Sequence, residues 1–191
     1  MLGLWWARLL NFLAAVSGNG ASGGGSFESI ATVTPSGVST ITFSSIPSTY
    51  QHLQIRAIAK RDSASTSGSS SLRFNGDTGS NYVRHFLRGN GSAATAGSAT
   101  AQTSIECFEH TGNDASVANM MGVLVCDIHD YASSTKNKVI RTVSGNDQNG
   151  AGNIYLTSGL WLSTAAVTSV TLFSSANYLN TTFALYGIKG A

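Results

Sequence analysis

The chain has 191 residues, a formal net charge of +2 and only 10% charged residues, where an ordinary soluble protein carries about 25%. With 42% hydrophobic residues it can build a core, which excludes disorder driven by charge. The near balance of eleven Lys+Arg against nine Asp+Glu excludes phosphate-driven nucleic-acid binding, and twenty-one glycines with abundant Ser and Thr disfavour a helical bundle.

Residues 1–16 read MLGLWWARLLNFLAAV. Leu2, Trp5, Leu9, Phe12 and Val16 recur at spacings of three and four, which predicts one stripe of an amphipathic helix. Trp6, Leu10 and Leu13 widen the stripe, while Arg8 and Asn11 fall on the other side. The segment is shorter than the roughly 20 apolar residues a membrane span needs, so no membrane partner is expected. A secretory signal is the rival reading, but it would place its positive charge ahead of the apolar stretch, whereas Arg8 lies inside it.

A helix of this length is marginal alone in water, and two exposed tryptophans would be sticky. Leu2, Trp5, Trp6, Leu9, Phe12, Leu13 and Val16 are therefore the expected partner-docking residues. They would pack in the stem of a trimer or in a groove on another protein. Residues 17–26, SGNGASGGGS, then read as a flexible tether. The chain divides into an anchor helix 1–16, a Gly/Ser tether 17–26 and a β domain 27–191.

From Phe27 onward, runs rich in Val, Ile, Thr, Phe and Tyr alternate with turn clusters. The expected strands are Phe27–Thr34, Thr40–Ser44, Leu53–Ala59, Ser71–Phe74, Tyr82–Leu87 and Thr103–Glu109. Met121–Ile128, Lys138–Val143, Ile154–Leu162, Val167–Phe173 and Thr182–Ile188 complete the set. Leu53, Ile55 and Ala57 alternate with His52, Gln54 and Arg56, so this strand should have one wet face. The run Gly122–Cys126 does not alternate and reads as a strand buried on both faces, or a central one, with Val125 in the core. Asn75-Gly76, Asn90-Gly91 and Asn149-Gly150 mark turns, and Gly89–Thr100 reads as a long mobile loop. The fold class that follows is all-β, a two-sheet antiparallel sandwich with jelly-roll-like connectivity.

The sequence carries few groups placed for chemistry. Asp127 and His129 share a strand face beside Asp130, but a strand-end hydrogen-bond network explains them better than an acid–base pair. His52, His85, His110 and His129 are scattered, without metal-ligand spacing, and Cys107 and Cys126 read as reduced, buried thiols. No nucleophile elbow and no phosphate loop is present. The expectation is no catalytic residue, no metal, no cofactor and no enzymatic activity. Tyr50, Tyr82, Tyr131, Tyr155, Tyr178 and Trp161 are read as core or strand-end rings, with sugar stacking as the alternative. Arg56, Lys60, Arg61, Arg84 and Arg88 could line one edge.

FESIATVT (27–34), ITFSSIPSTYQHLQIRAIA (41–59), LRFNGDTGSNYVRHFLRGNG (72–91), DYASSTKNKVIRTVSGNDQNG (130–150), SGLWLS (158–163) and FALYGIKGA (183–191) resemble a group of small tailed-phage proteins. Many of these come from phages of cyanobacteria and other aquatic bacteria. The resemblance implies a β-sandwich structural protein of the virion, without catalytic residues, and leaves residues 1–16 outside the similarity. The leading expectation is a capsid decoration or cement protein, clustered as a trimer on the major capsid protein through its N-terminal helix. The alternative is a tail, baseplate or fibre module that attaches to a tail protein and binds host-surface glycan.

Overall fold

The computed structural model describes residues 26–190. The expected helix 1–16 and nearly all of the tether lie outside these residues. What is described is all-β: β1 (Phe27–Val33), β2 (Thr40–Phe43), β3 (His52–Arg61), β4 (Ser67–Phe74), β5 (Tyr82–Gly89), β6 (Ala94–Gln102) and β7 (Ile105–Thr111). After a single 3-10 turn, Ala115–Val117, come β8 (Gly122–His129), β9 (Lys138–Asp147), β10 (Gly152–Trp161), β11 (Val170–Ser174) and β12 (Tyr178–Ile188).

All twelve strands belong to one mixed hydrogen-bonded sheet, where the sequence led us to expect two separate antiparallel ones. A long arm runs β1-β12-β3-β8-β9-β10-β5-β6, and a short arm runs β2-β11-β4-β7. They join through a single parallel pair, Lys60 with Thr111, whereas the other pairings are antiparallel. Near this join β7 crosses the long arm at close range. The Glu109 amide donates to Ser144 Oγ on β9 at 3.1 Å. Gly159 on β10 leaves space for Ile105, whose Cδ1 would lie 2.8 Å from an added Cβ.

Register explains where the core sits, because paired residues share a face. One row across the long arm reads Leu53–Ile128–Ile140–Gly159–Arg84, and the next reads Ile55–Cys126–Thr142–Thr157–Phe86. The rows are buried at β3, β8 and β9, where all but Thr142 are apolar, and become half-buried at Arg84 and Phe86 of β5. Phe108 and Phe183 meet edge to face at 6.3 Å, and Tyr178 and Phe183 at 5.1 Å, so both arms contribute rings to one core. Each fully buried ring stabilises the fold by about 2–3 kcal/mol.

Turn chemistry holds the ends. Asn75 and Gly76 both adopt left-handed backbone, φ 51° and 67°, a conformation that Asn and Gly tolerate best. The Asn75 side chain accepts from the Thr168 and Ser169 amides at 2.8 and 3.1 Å, stitching this turn to the segment before β11. Asp77 accepts from Trp161 Nε1 at 2.7 Å, Asn81 Nδ2 at 3.0 Å and the Gly79 amide at 2.8 Å. The Trp161 bond foremost, then those from Asn81 and Gly79, holds its carboxyl below the usual range.

Two expectations are corrected. Ala94–Gln102 is an edge strand rather than a loop: its small residues are poor strand formers, but pairing with β5 overrides that preference. Strand β8 alternates strictly after all, with Leu124, Cys126 and Ile128 buried while Val123 and Val125 are exposed. Val125→Asp should therefore leave the chain folded, a result that an unchanged thermal midpoint would verify.

Candidate functional site

The docking residues expected from sequence, Leu2, Trp5, Trp6, Leu9, Phe12, Leu13 and Val16, lie outside the described residues. Among the described ones, Asp127 and His129 do share a face but are not bonded to each other. Asp127 Oδ1 accepts from Gln54 Nε2 at 2.7 Å, and Gln54 Oε1 accepts from Arg56 Nε at 2.7 Å. His129 packs edge to face on His52 at 5.1 Å. The Asp130 amide donates to His52 Nδ1 at 3.0 Å, which fixes the proton of the neutral ring on Nε2. The Asp130 carboxylate pairs with Lys136 Nζ at 2.6 Å, and that bond keeps its pKa low. These contacts tie β3 to the turn after β8, which is a structural task. No group of three His, Cys, Asp or Glu converges as metal ligands among the described residues.

A second cluster was not assembled by the sequence reading. On the core-facing side of β5, beyond the cover of β7, Arg84, Phe86 and Arg88 project side by side. Arg84 Nη2 meets Glu106 Oε2 of β7 at 2.9 Å, and its guanidinium lies over the Phe86 ring at 5.1 Å. Arg88 donates twice to Asn153 Oδ1, at 2.9 and 2.7 Å, and stacks over Tyr155 at 5.5 Å. Phe86 and Tyr155 lie 6.1 Å apart. Beneath them Gly97 of β6 has no side chain, and a Cβ there would reach within 2.6 Å of the Phe86 ring. Asn153 Nδ2 lies 3.5 Å from Glu109 Oε1, which extends the network inwards.

The i, i+2, i+4 spacing of Arg84, Phe86 and Arg88 was a legible signal for one face of a strand. The glutamates gave none, because a bulge opposite Ser70 and Ser71 shifts the register of β7 between Glu106 and Phe108. The expected grouping of basic residues is only partly found. Arg84 and Arg88 belong together, Arg56 lies on the opposite face, and Lys60 is buried with Nζ donating to Val117 and Ala118 carbonyls.

Burial shifts two groups of β7 in opposite directions. Glu109 is pushed up to about 7, mainly by burial and against the attraction of Arg88. His110, fully buried, is pushed down to about 4 by burial. Its Nε2 faces Ser70 Oγ at 2.8 Å, which in turn meets Tyr178 OH at 2.9 Å. Folded Glu109 keeps its proton to a higher pH than unfolded Glu109 does, so its contribution to stability falls as pH rises from about 4.5 to about 7. The unfolded chain protonates His110 before the fold does, so that contribution falls as pH drops from about 6.5 to about 4. The two offset each other where the windows overlap. Glu109→Gln should unmask the histidine. Stability measured by urea titration should then rise with pH from about 4.5 to 6.5, and above pH 7 the variant should exceed the parent by roughly 1–2 kcal/mol after allowing for partial solvation.

The other face of the long arm is unusual in a different way. Its residues fall into rows by register. Arg56–Val125–Val143–Leu156–Leu87–Ala96 is one row, and Ile58–Val123–Gly145–Ile154 is the next. Val123 is 56% exposed, Ile154 61%, Val143 51%, and Leu156 and Leu87 50% each. Five adjacent strands thus present large aliphatic side chains to solvent, with a depression of about 440 Å³ over Val123, Val125, Val143, Gly145 and Ile154. Scattered single aliphatics are normal on a surface, whereas a contiguous patch of this kind marks an interface. The row Gln54–Asp127–Arg141–Ser158–His85 forms its polar border. Searches against family models, curated proteins and solved structures find no match to this chain.

Proposed function

We propose that the chain is a non-enzymatic structural protein of a phage virion, a capsid decoration protein that contacts its neighbours through apolar surfaces. The observation that carries this reading is the exposed aliphatic face of β3, β8, β9, β10 and β5, a surface suited to permanent burial against protein. The low-charge Ser/Thr surface and the family resemblance support it. In this reading the two arms of the sheet act as the layers of a jelly-roll-like sandwich, and copies cluster as trimers on the major capsid protein. Symmetry then lets many weak identical contacts add. Quantitative mass spectrometry of particles containing this chain tests the reading: a copy number commensurate with the shell subunits is expected, and one matching only the few copies of a tail component would overturn it.

The cluster of Arg84, Phe86, Arg88 and Tyr155 favours a second reading, a tail, baseplate or fibre module that binds host-surface polysaccharide. The two rings support the guanidinium groups that lie over them, and paired guanidinium groups suit sugar hydroxyls and carboxylates. Binding on a glycan array that Arg88→Ala lowers at least tenfold would favour this module over decoration. No binding by the parent chain would remove it.

A further inference from the structure

We infer that the outer edge of β6 pairs with the β6 edge of a second copy, antiparallel about a twofold axis centred on Ala96. This does not rest on the virion reading.

Strand β2 ends the short arm of the sheet, and β1 and β6 end the long arm. An edge strand presents a row of unpaired amides and carbonyls, which proteins guard with brevity, charge, proline or bulges. Strand β2 has only four residues. Strand β1 carries Glu28, which pairs with Lys189, and a bulge between Ser29 and Ala31. Strand β6 runs for nine residues, Ala94–Gln102, with no charge and no proline. Its register with β5 is regular from Ala94 to Ala99, and only beyond that does a bulge intervene, with Ala101 at φ 52°. Among the described residues its outer side has no strand partner.

The turn before β6 fixes which of its groups are free. The Asn90 amide donates to the Ala93 carbonyl at 3.2 Å, so these two residues form a hydrogen-bonded pair of the ladder. Such pairs alternate along antiparallel strands. The register therefore aims the amides and carbonyls of Thr95, Gly97 and Ala99 at β5, and those of Ala94, Ala96 and Ser98 outwards. A twofold axis at Ala96 sets this residue against Ala96 of the second copy, and Ala94 against Ser98. Each of these outward amides then meets an outward carbonyl.

The side chains favour a second copy over a foreign peptide. A strand added from another protein gains its specificity from pockets that take alternate side chains. Residues 94–101 read ATAGSATA, none larger than threonine, and wall no such pocket. In the twofold pair Thr95 lies opposite Gly97 and no like charges meet. The row Val143–Leu156–Leu87–Ala96 then runs on into the same row of the second copy, joining the two exposed aliphatic faces into one.

Cysteine crosslinking of the full chain tests the register, because both native cysteines, Cys107 and Cys126, are buried. In Ala96→Cys the paired Cα atoms would stand about 5.5 Å apart, inside the reach of a disulfide. In Ser98→Cys they would stand about 13 Å apart. Mild oxidation should therefore give covalent dimer from Ala96→Cys at least tenfold faster than from Ser98→Cys. Ala96→Lys, at an exposed position, sets two like charges against each other. It should weaken association, followed by light scattering from micromolar to millimolar protein, at least tenfold with unchanged far-ultraviolet circular dichroism. A parent chain that does not associate would overturn the inference. So would association untouched by the lysine, or cysteine variants that crosslink equally or not at all.

Discussion

Gly122→Ala should lower stability by about 3 kcal/mol, at the upper end of what overpacking costs, and drop the thermal midpoint by roughly 10 °C for a domain of this size. Gly122 opens β8 on the core side, and a Cβ there would lie 2.3 Å from His110 Cα and 2.7 Å from the Glu109 carbonyl oxygen. Both are backbone atoms of β7, so no rotamer change can relieve the clash. The strand would have to lift, and one residue further on it makes the single bridge that joins the two arms, Thr111 with Lys60. Gly76→Ala is the control. It has open space around the missing Cβ and a φ of 67°, so its cost should be only the 1–2 kcal/mol of left-handed backbone. Differential scanning calorimetry on the pair separates the two causes. Equal losses would show that β7 does not cross β8 as closely as described.

Lys138→Ala should cost a comparable amount for an electrostatic reason. The side chain is wholly buried, yet its ammonium donates to three carbonyls, those of Ser133 at 2.7 Å, Lys136 at 2.6 Å and Thr164 at 3.1 Å. It thereby pins the Asp130–Asn137 connection and the segment after β10 to the start of β9. Burial lowers its pKa, opposed by the attraction of Asp130. Truncation leaves three carbonyls short of a donor, at about 1 kcal/mol or more each, and removes a buried aliphatic stem. We expect a loss of roughly 3–4 kcal/mol, read as a lower urea midpoint at unchanged slope. Lys138→Met should recover the packing part alone. If methionine restored full stability, the carbonyl cage would have no energetic role.

Much of the strand pattern was legible because alternation and turn chemistry are local. Leu53, Ile55 and Ala57 face the core as their alternation predicted, and Asn75-Gly76 and Asn149-Gly150 adopt the positive φ that suits those residue types. Cys107 and Cys126 are buried free thiols, with burial pushing Cys107 up to about 12. Where local signals are neutral, reading failed. Ala94–Gln102 has no strand-forming residue pattern, and only its partner β5 makes it a strand. Val123 and Val125 look the same in sequence whether a second layer covers them or nothing does.

Composition and periodicity alone therefore determined an all-β body with little charge. Tertiary structure decided that the arms meet at one residue pair, that Arg84 and Arg88 come to lie beside Glu106 and Glu109, and which aliphatic face is left exposed among the described residues. The physical reason is range. A strand's own side-chain period says which residues share a face, but the strand that crosses that face is set by contacts far apart in the chain. Sequence spacing carries no record of them.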